Sequence, residues 1–410
     1  MADYSKIPST AKLQPKPHKA HIDDDKLQHM LDLLKLSPIG PAVFENTSTS
    51  QGETKVSRPD RRYGMRRDWL TNAKHHWLNT FSWRHHEDHL NSFPQFTVPI
   101  KDKDGHDHTI HFMALFSSRK DAIPLAFFHG WPGSFMEFLP LFTLLKQKYT
   151  PATLPYHVIA PSLTGYAYSS GPPVEVDWTL DRTSEIMHTL LTTVLGFPAY
   201  LVQGGDLGST VSRFLAANYD ECKGMHLNAY FVPPPADEAK AKEMDALEAE
   251  GLKRGDEWRK SGMAYAMEHG TRTGTIGLAL SASPLAMLSW IGEKFLEWTD
   301  EDPALETILA SVSLYWLTET FPRCIYPYRT LFGPKGRGPP QFVAKPSGYS
   351  FFPKELVPVP RCWAAATADI VSYSQHEGGG HFAALEKPKE LLEDVEEWVS
   401  KAWKESGAKL

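Results

Sequence analysis

The sequence predicts an α/β protein with a mostly parallel central sheet, a helical block inserted between its two halves, and a helical extension ahead of it. Three observations carry that expectation. From residue 96 onward, short apolar runs recur, each closed by a Gly/Pro/Ser loop and followed by a helical pattern, the signature of βαβ units. Residues 236–331 hold apolar helical patterns with no strand between them. Residues 1–95 are polar or helix-patterned.

Length and composition set the outer limits. The 410 residues are 41% hydrophobic, 22% charged and 12% aromatic, enough for a large core and, by length, two or three domains. A formal net charge of -6 gives no reason to expect nucleic-acid binding. Cys222, Cys324 and Cys362 are odd in number and far apart, the pattern of thiols in a reducing compartment and not of a disulfide framework or zinc site. Nothing after Met1 reads as a secretory h-region, and no run of about 18 apolar residues predicts a membrane anchor. The expected compartment is the cytoplasm; Ala408-Lys409-Leu410 only loosely resembles a peroxisomal ending, which wants Ser-Lys-Leu.

In chain order, residues 1–95 form the N-terminal extension, with an amphipathic helix from Asp23 to Leu36 and a Trp- and His-rich helix from Trp69 to Trp83. The histidines His75, His76, His85, His86 and His89 lack the Glu that a zinc-protease helix places after its first His, so no metal is expected. Residues 96–235 form the first half of the core, with strands at Thr109–Phe116, Ile123–Phe128, His157–Ala160, Ala199–Gln203 and Met225–Phe231. Residues 236–331 form a helical cap, with a charged stretch at Ala236–Glu257 and apolar helices at Ile276–Trp298 and Ala304–Thr320. Residues 332–410 complete the core with strands at Phe342–Ala344 and Ile370–Gln375 and a closing amphipathic helix, Lys387–Trp403.

Chemistry concentrates at Gly204-Gly205-Asp206-Leu207-Gly208-Ser209, between an apolar run and a helix-like stretch. That is the layout of a nucleophile elbow, a tight strand-to-helix turn presenting one reactive side chain. The side chain is Asp where most elbows carry Ser or Cys. A carboxylate is ionised at neutral pH and needs no base before it attacks. It suits displacement at a strained or activated carbon; an Asp elbow cannot form the usual acyl-enzyme of an esterase. His129-Gly130-Trp131-Pro132-Gly133-Ser134 follows the first buried strand, where this layout draws one oxyanion-hole amide, here that of Trp131. The second would come from Leu207, the residue after the nucleophile. Gly378-Gly379-Gly380-His381 follows the last strand and offers His381 as the base; His376 sits at the strand end. The acid that orients His381 belongs on the loop after the penultimate strand, which favours Glu355 over Asp369.

Together these motifs resemble the epoxide hydrolases of the α/β-hydrolase superfamily, most closely the microsomal type and its soluble fungal relatives. The resemblance covers most of the chain. It includes Trp77–Arg84 and His89–Pro94, which are similar to that group's N-terminal domain, and also His129–Ser134, the Asp elbow, Tyr315–Thr320 and His381–Glu386. It implies an α/β-hydrolase fold and hydrolysis of a small-molecule epoxide to a vicinal diol, as in xenobiotic detoxification, through an alkyl ester on Asp206. It further implies two cap tyrosines that protonate the ring oxygen. Tyr265 occupies the first position; Tyr328 fits the spacing of the second better than Tyr326. His269 stands where the family often has Gln, and Thr273-Gly274 follows Arg272 where Pro is common, which affects the shape expected of the cap pocket. No metal or organic cofactor is required. A homodimer, with the N-terminal segment as an arm, is compatible with the resemblance.

Two rivals share the scaffold. A haloalkane dehalogenase uses the same Asp and His but wants a halide-binding group, often Trp directly after the nucleophile, where this chain has Leu207. It has no need of paired cap tyrosines. A hydrolase-fold binding protein without catalysis would show damage at the Asp, the His or the oxyanion loop, and the sequence has none.

Overall fold

A nine-stranded sheet organises the molecule, in the order β1-β2-β3-β5-β4-β6-β7-β8-β9. The structure, a computed structural model, describes residues 3–47, 61–332 and 340–408. The strands are β1 Lys16–His18, β2 Gln95–Lys101, β3 Asp107–Leu115, β4 Ile123–Phe128, β5 Tyr156–Pro161, β6 Tyr200–Gly204, β7 Cys222–Leu227, β8 Val343–Phe351 and β9 Ala368–Gln375. From β5 to β9 every pairing is parallel, whereas β1, β2 and β3 join antiparallel at one edge. The central strands β4, β5 and β6 are buried almost throughout, as expected of parallel strands covered on both faces. Along β2, Phe96, Val98 and Ile100 are buried while Pro99 and Lys101 are exposed, the alternation of a half-covered antiparallel strand.

The helices follow from caps and apolar spacing. Ahead of β2 lie α1 Asp24–Leu36, α2 Arg67–Asn79 and α3 Trp83–Leu90. The Trp- and His-rich stretch is thus two helices and not one: it breaks at Thr80-Phe81-Ser82, and the Ser82 hydroxyl accepts from the His85 N–H to start α3. Flanking the sheet are α4 Leu139–Lys148, α5 Leu180–Thr189 and α6 Asp206–Asn218. Between β7 and β8 comes a helical block: α7 Ala246–Ser261, α8 Ala264–Thr271, α9 Thr273–Ser281, α10 Pro284–Trp298, α11 Leu305–Leu317, α12 Thr320–Cys324 and α13 Pro327–Phe332. The chain closes with α14 Arg361–Ala365, α15 Ala383–Glu386 and α16 Pro388–Glu405. On α16, Leu391, Leu392, Val395, Trp398, Val399 and Ala402 are buried, and the helix packs on β7, β8 and β9.

Several boundaries differ from the sequence expectation for identifiable reasons. Ile276–Trp298 is interrupted, because Ser283 caps a new helix and Pro284 has no N–H with which to continue the old one. The two helices meet at a bend of 119°. The strand expected at Met225–Phe231 begins three residues earlier and ends at Leu227, because Asn228 turns toward the elbow, where its Oδ1 accepts from Gln203 Nε2 at 2.8 Å. β8 is far longer than its apolar core Phe342–Ala344 suggested; Pro346 and Gly348 weaken its sequence pattern and coincide with register shifts against β9. Residues 16–18 form a short edge strand within an extension expected to be helical.

The extension packs against the helical block through α1 with α10 and α11, and α3 with α11. Ion pairs reinforce the contact: Lys26 with Glu319 at 2.6 Å and Arg61 with Asp302 at 2.5 Å. His76 and His86 both reach Glu306, at 2.5 and 3.0 Å, so two members of the histidine cluster serve this contact. Among the described residues no single helix is long and apolar enough to cross a membrane. Cys222, Cys324 and Cys362 are free thiols. Of the ending Ala408-Lys409-Leu410, the last two residues lie outside the described residues.

Candidate active site

The parallel strands deliver their C-terminal loops to one place. Asp206 follows β6 and begins α6 with φ at 46°, a left-handed conformation that a non-glycine residue rarely adopts. Its glycine neighbours make the turn feasible. A Cβ on Gly208 would lie 1.9 Å from the Phe128 carbonyl oxygen, and one on Gly130 would lie 2.1 Å from Asp206 Oδ1. Both positions therefore need a residue without a side chain.

The two oxygens of Asp206 have different surroundings. Oδ1 accepts a hydrogen bond from the Trp131 backbone N–H at 2.8 Å. Oδ2 faces His381 Nε2 at 3.4 Å. On the far side of the ring, His381 Nδ1 meets Glu355 Oε1 at 2.7 Å. Glu355 and His381 are both buried, and Oε1 of Glu355 also accepts from the Leu356 N–H. Burial disfavours a charged imidazole, but Glu355 and Asp206 outweigh it and raise the His381 pKa well above the ordinary histidine range.

Opposite Asp206 stand Tyr265 from α8 and Tyr328 from α13. With Asp206 and Leu207 they line a cavity of ≈ 310 Å³. Their rings are 5.9 Å apart, and each packs near Trp131. Burial raises both phenols well above 10; the Asp206 charge acts in the same direction, so both remain protonated in any neutral buffer. The remaining lining is mostly apolar, including Phe231, Val232, Trp258, Met263, Leu331 and Val357.

The other sequence candidates lie elsewhere. The Tyr326 hydroxyl donates to the Thr164 carbonyl at 3.2 Å and pairs with Thr183 Oγ1 at 2.6 Å. Asp369 is an exposed residue of β9. His376 pairs with Asp394 at 2.7 Å and stacks on Phe352. His129 is buried and accepts from the Leu163 N–H at 3.1 Å; it supports its loop. His269 packs edge-on beneath Trp131, Tyr265 and Tyr328 and accepts from Trp290 Nε1 at 3.1 Å.

Two polar residues beside the site escaped the sequence reading. Asn228 adjoins Gly205, and Glu137 borders the space between Asp206 and His381. Glu137 did leave a trace: it is a lone carboxylate within the otherwise apolar or small-residue run Gly133–Leu139, directly after the loop that carries Trp131.

A mostly parallel sheet with a carboxylate at its strand-to-helix elbow, a buried His–Glu pair beside it and a helical block above defines an enzyme of the α/β-hydrolase fold. The family described as "alpha/beta hydrolase fold" matches residues 123–271, and "Epoxide hydrolase N terminus" matches residues 15–138. A Dothistroma septosporum protein provisionally named an epoxide hydrolase is 50% identical over 405 residues, covering 98% of this chain and 94% of its own. The structure of Aspergillus niger epoxide hydrolase superposes with a TM-score of 0.88 at 45% identity, over 98% of this chain and 100% of that one. Juvenile hormone epoxide hydrolase from the silkworm Bombyx mori shares the fold at a TM-score of 0.77 and 22% identity, over 98% and 99% of the two chains. The chain belongs to the epoxide hydrolase family.

Proposed function

We propose that the protein hydrolyses an apolar epoxide to a vicinal diol in two covalent steps. In the first, Asp206 Oδ2 attacks an epoxide carbon while the Tyr265 and Tyr328 hydroxyls hold the ring oxygen and one of them protonates it. An alkoxide is too basic to leave unaided, so an acid must stand at that oxygen. The products of this step are an alkyl ester on Asp206 and a free hydroxyl. In the second step, water deprotonated by His381 attacks Cγ of Asp206. The Trp131 amide, with that of Leu207, stabilises the oxyanion on Oδ1. The Cγ–Oδ2 bond breaks, the proton passes from His381 to the departing oxygen, and the diol leaves.

The observation that carries this reading is the unlike placement of the two Asp206 oxygens, one on a backbone amide and one facing the base, on a carboxylate that borders the cavity lined by the two tyrosines. The charge balance supports the order of events. With Asp206 ionised, His381 sits between two carboxylates and favours its cationic form. Esterification removes one of those charges and lowers the imidazole pKa; the proton His381 then sheds makes good the one the tyrosine gave and leaves a base for the second step, and the Asp206 carboxylic acid formed as the diol departs returns a proton to the imidazole. Glu355 keeps the ring oriented and stabilises the imidazolium without taking its proton. In this reading residues 236–331 act as the cap, 96–235 and 332–410 as the two halves of the core, and 1–95 as an extension that braces the cap.

A cavity of ≈ 310 Å³ with mostly apolar walls suits an epoxide bearing an aryl or short alkyl group. Mixing the enzyme with styrene oxide, quenching in acid and weighing the intact chain tests the reading. An adduct of enzyme plus one epoxide, localised to the peptide containing Asp206, is expected. Release of halide from a bromoalkane with no turnover of styrene oxide would overturn it in favour of dehalogenation.

A further inference from the structure

Two hydroxyls meet the ring oxygen but only one gives up its proton, and the surroundings of the two tyrosines differ. Tyr265 is buried, and burial, with the charges of Asp206, Glu355 and Glu297, holds its phenol well above the ordinary range. A phenol so held is a weak acid, so whatever eases its ionisation bears directly on ring opening.

One group does so from behind the ring. Trp290, Lys294 and Trp298 follow one another at four-residue intervals on α10 and therefore share a face. The Lys294 ammonium lies 4.8 Å from the centre of the Tyr265 ring, and 5.7 and 5.9 Å from those of Trp290 and Trp298. Only 4% of the residue is exposed, and it is not among the residues that line the epoxide cavity. Among the described residues its carboxylate partner is the neighbouring Glu293, and Glu297 also feels its charge. Burying an ammonium is costly, and a methionine would fill the same place without that cost.

Tyr328 has different neighbours. Among the described residues no lysine or arginine stands over its ring, which packs against His269 at 4.8 Å and Phe332 at 5.9 Å. Burial lowers His269 to about 3 and Lys294 pushes the same way, so that imidazole is neutral. The hydrogen bond between the two phenols adds to the asymmetry, easing ionisation of Tyr265 and hindering that of Tyr328. Tyr328 is thus the donor in that bond and Tyr265 the acceptor.

Alkylation moves a negative charge. As the bond from Asp206 Oδ2 to carbon forms, Asp206 loses its charge, and the tyrosine that gives its proton acquires one. A cation fixed behind one tyrosine favours that transfer more in the transition state than before it, which is what acceleration requires. The attraction also grows as the ring gains electron density.

We propose that Lys294, set over the Tyr265 ring, makes Tyr265 the tyrosine that protonates the ring oxygen, while Tyr328 serves that oxygen as a hydrogen-bond donor. Lys294 is a positioning residue that acts through Tyr265 and does not touch the epoxide. This assignment rests on the covalent reading above. The proton leaves Tyr265 Oη for the epoxide oxygen, which keeps the electron pair of the broken carbon–oxygen bond. The proton shed by His381 then restores the phenol.

The test is a double-mutant cycle on the rate of alkyl-enzyme formation, read by rapid quench with styrene oxide. Lys294→Met is placed in the parent, in Tyr265→Phe and in Tyr328→Phe. In the parent and in Tyr328→Phe it is expected to slow alkylation about tenfold, the size of a desolvated cation–π contact. In Tyr265→Phe it is expected to change the rate by less than about twofold, because no proton leaves that ring. Lys294→Arg keeps a cation over the ring and is expected to stay within about threefold of the parent. Lys294→Gln takes the place of Lys294→Met if the latter fails to fold. Equal slowing in all three backgrounds marks a packing defect and overturns the proposal, as does a parental rate in Lys294→Met or a loss as large in Lys294→Arg. Slowing that vanishes in Tyr328→Phe instead assigns the proton to Tyr328 and overturns it too. A parent that forms no alkyl-enzyme overturns the covalent reading itself, and this assignment falls with it.

Discussion

Oδ1 of Asp206 rests on the Trp131 N–H at 2.8 Å, which makes the amide proposed to bear the oxyanion the same group that orients the carboxylate beforehand. The orientation depends on Gly130, whose Cα leaves no room for a Cβ beside Oδ1. Gly130→Ala is expected to push Asp206 off its line of attack and lower kcat/KM by roughly 10²-fold or more, as misplacement by an ångström does. Steady-state kinetics beside a thermal unfolding curve checks this; near-parental activity would contradict the steric argument.

His381→Gln removes the proposed base but not the nucleophile. One epoxide per enzyme should still be consumed in a burst, followed by turnover slowed by roughly 10³-fold. The measurement is burst amplitude by quench. A variant that consumes no epoxide at all would mean that His381 acts in the first step.

Tyr328→Phe and Tyr265→Phe should each slow alkylation by about 10²-fold, since each removes one donor from the ring oxygen. Tyr326→Phe should leave alkylation near parental, because its hydroxyl is spent on Thr164 and Thr183; it should cost about 1 kcal/mol of stability. Single-turnover rates and denaturant unfolding of the three variants separate the two kinds of effect.

Stability should fall as pH rises through the acid-to-neutral range and beyond. His381 and Glu137 both have native pKa values raised above their unfolded ones, so each contributes stability that is complete below the unfolded pKa and lost as pH rises through the native one. For Glu137 that window runs from the ordinary 4.5 to about 8. Glu137→Gln should therefore unfold with a flatter pH dependence across that window and gain on the parent as pH rises. Urea midpoints between pH 5 and pH 9 test this; parallel curves would contradict it.

Much of this arrangement was legible in the residues, because backbone demands leave marks. Gly204, Gly205 and Gly208 announced the elbow, and Gly378–Gly380 announced the loop of His381, since close approach and positive φ leave few alternatives to glycine. The apolar runs of β4, β5 and β6 were plain because both faces of each are buried. The start of β1 and the length of β8 were not, because Pro17, Pro346 and Gly348 weaken the strand pattern and only pairing with neighbours rescues it. Glu137 was missed for a different reason. Its place beside the space between Asp206 and His381 is set by the folded chain and has no sequence period.

The most direct measurement is one turnover in heavy-oxygen water with enzyme in excess, followed by mass analysis of the Asp206 peptide and the diol. The account predicts label in the Asp206 carboxylate and an unlabelled diol, because water attacks Cγ and the original Oδ2 departs with the product. A labelled diol with unlabelled Asp206 would mean that water attacks the epoxide directly and that Asp206 is not the nucleophile.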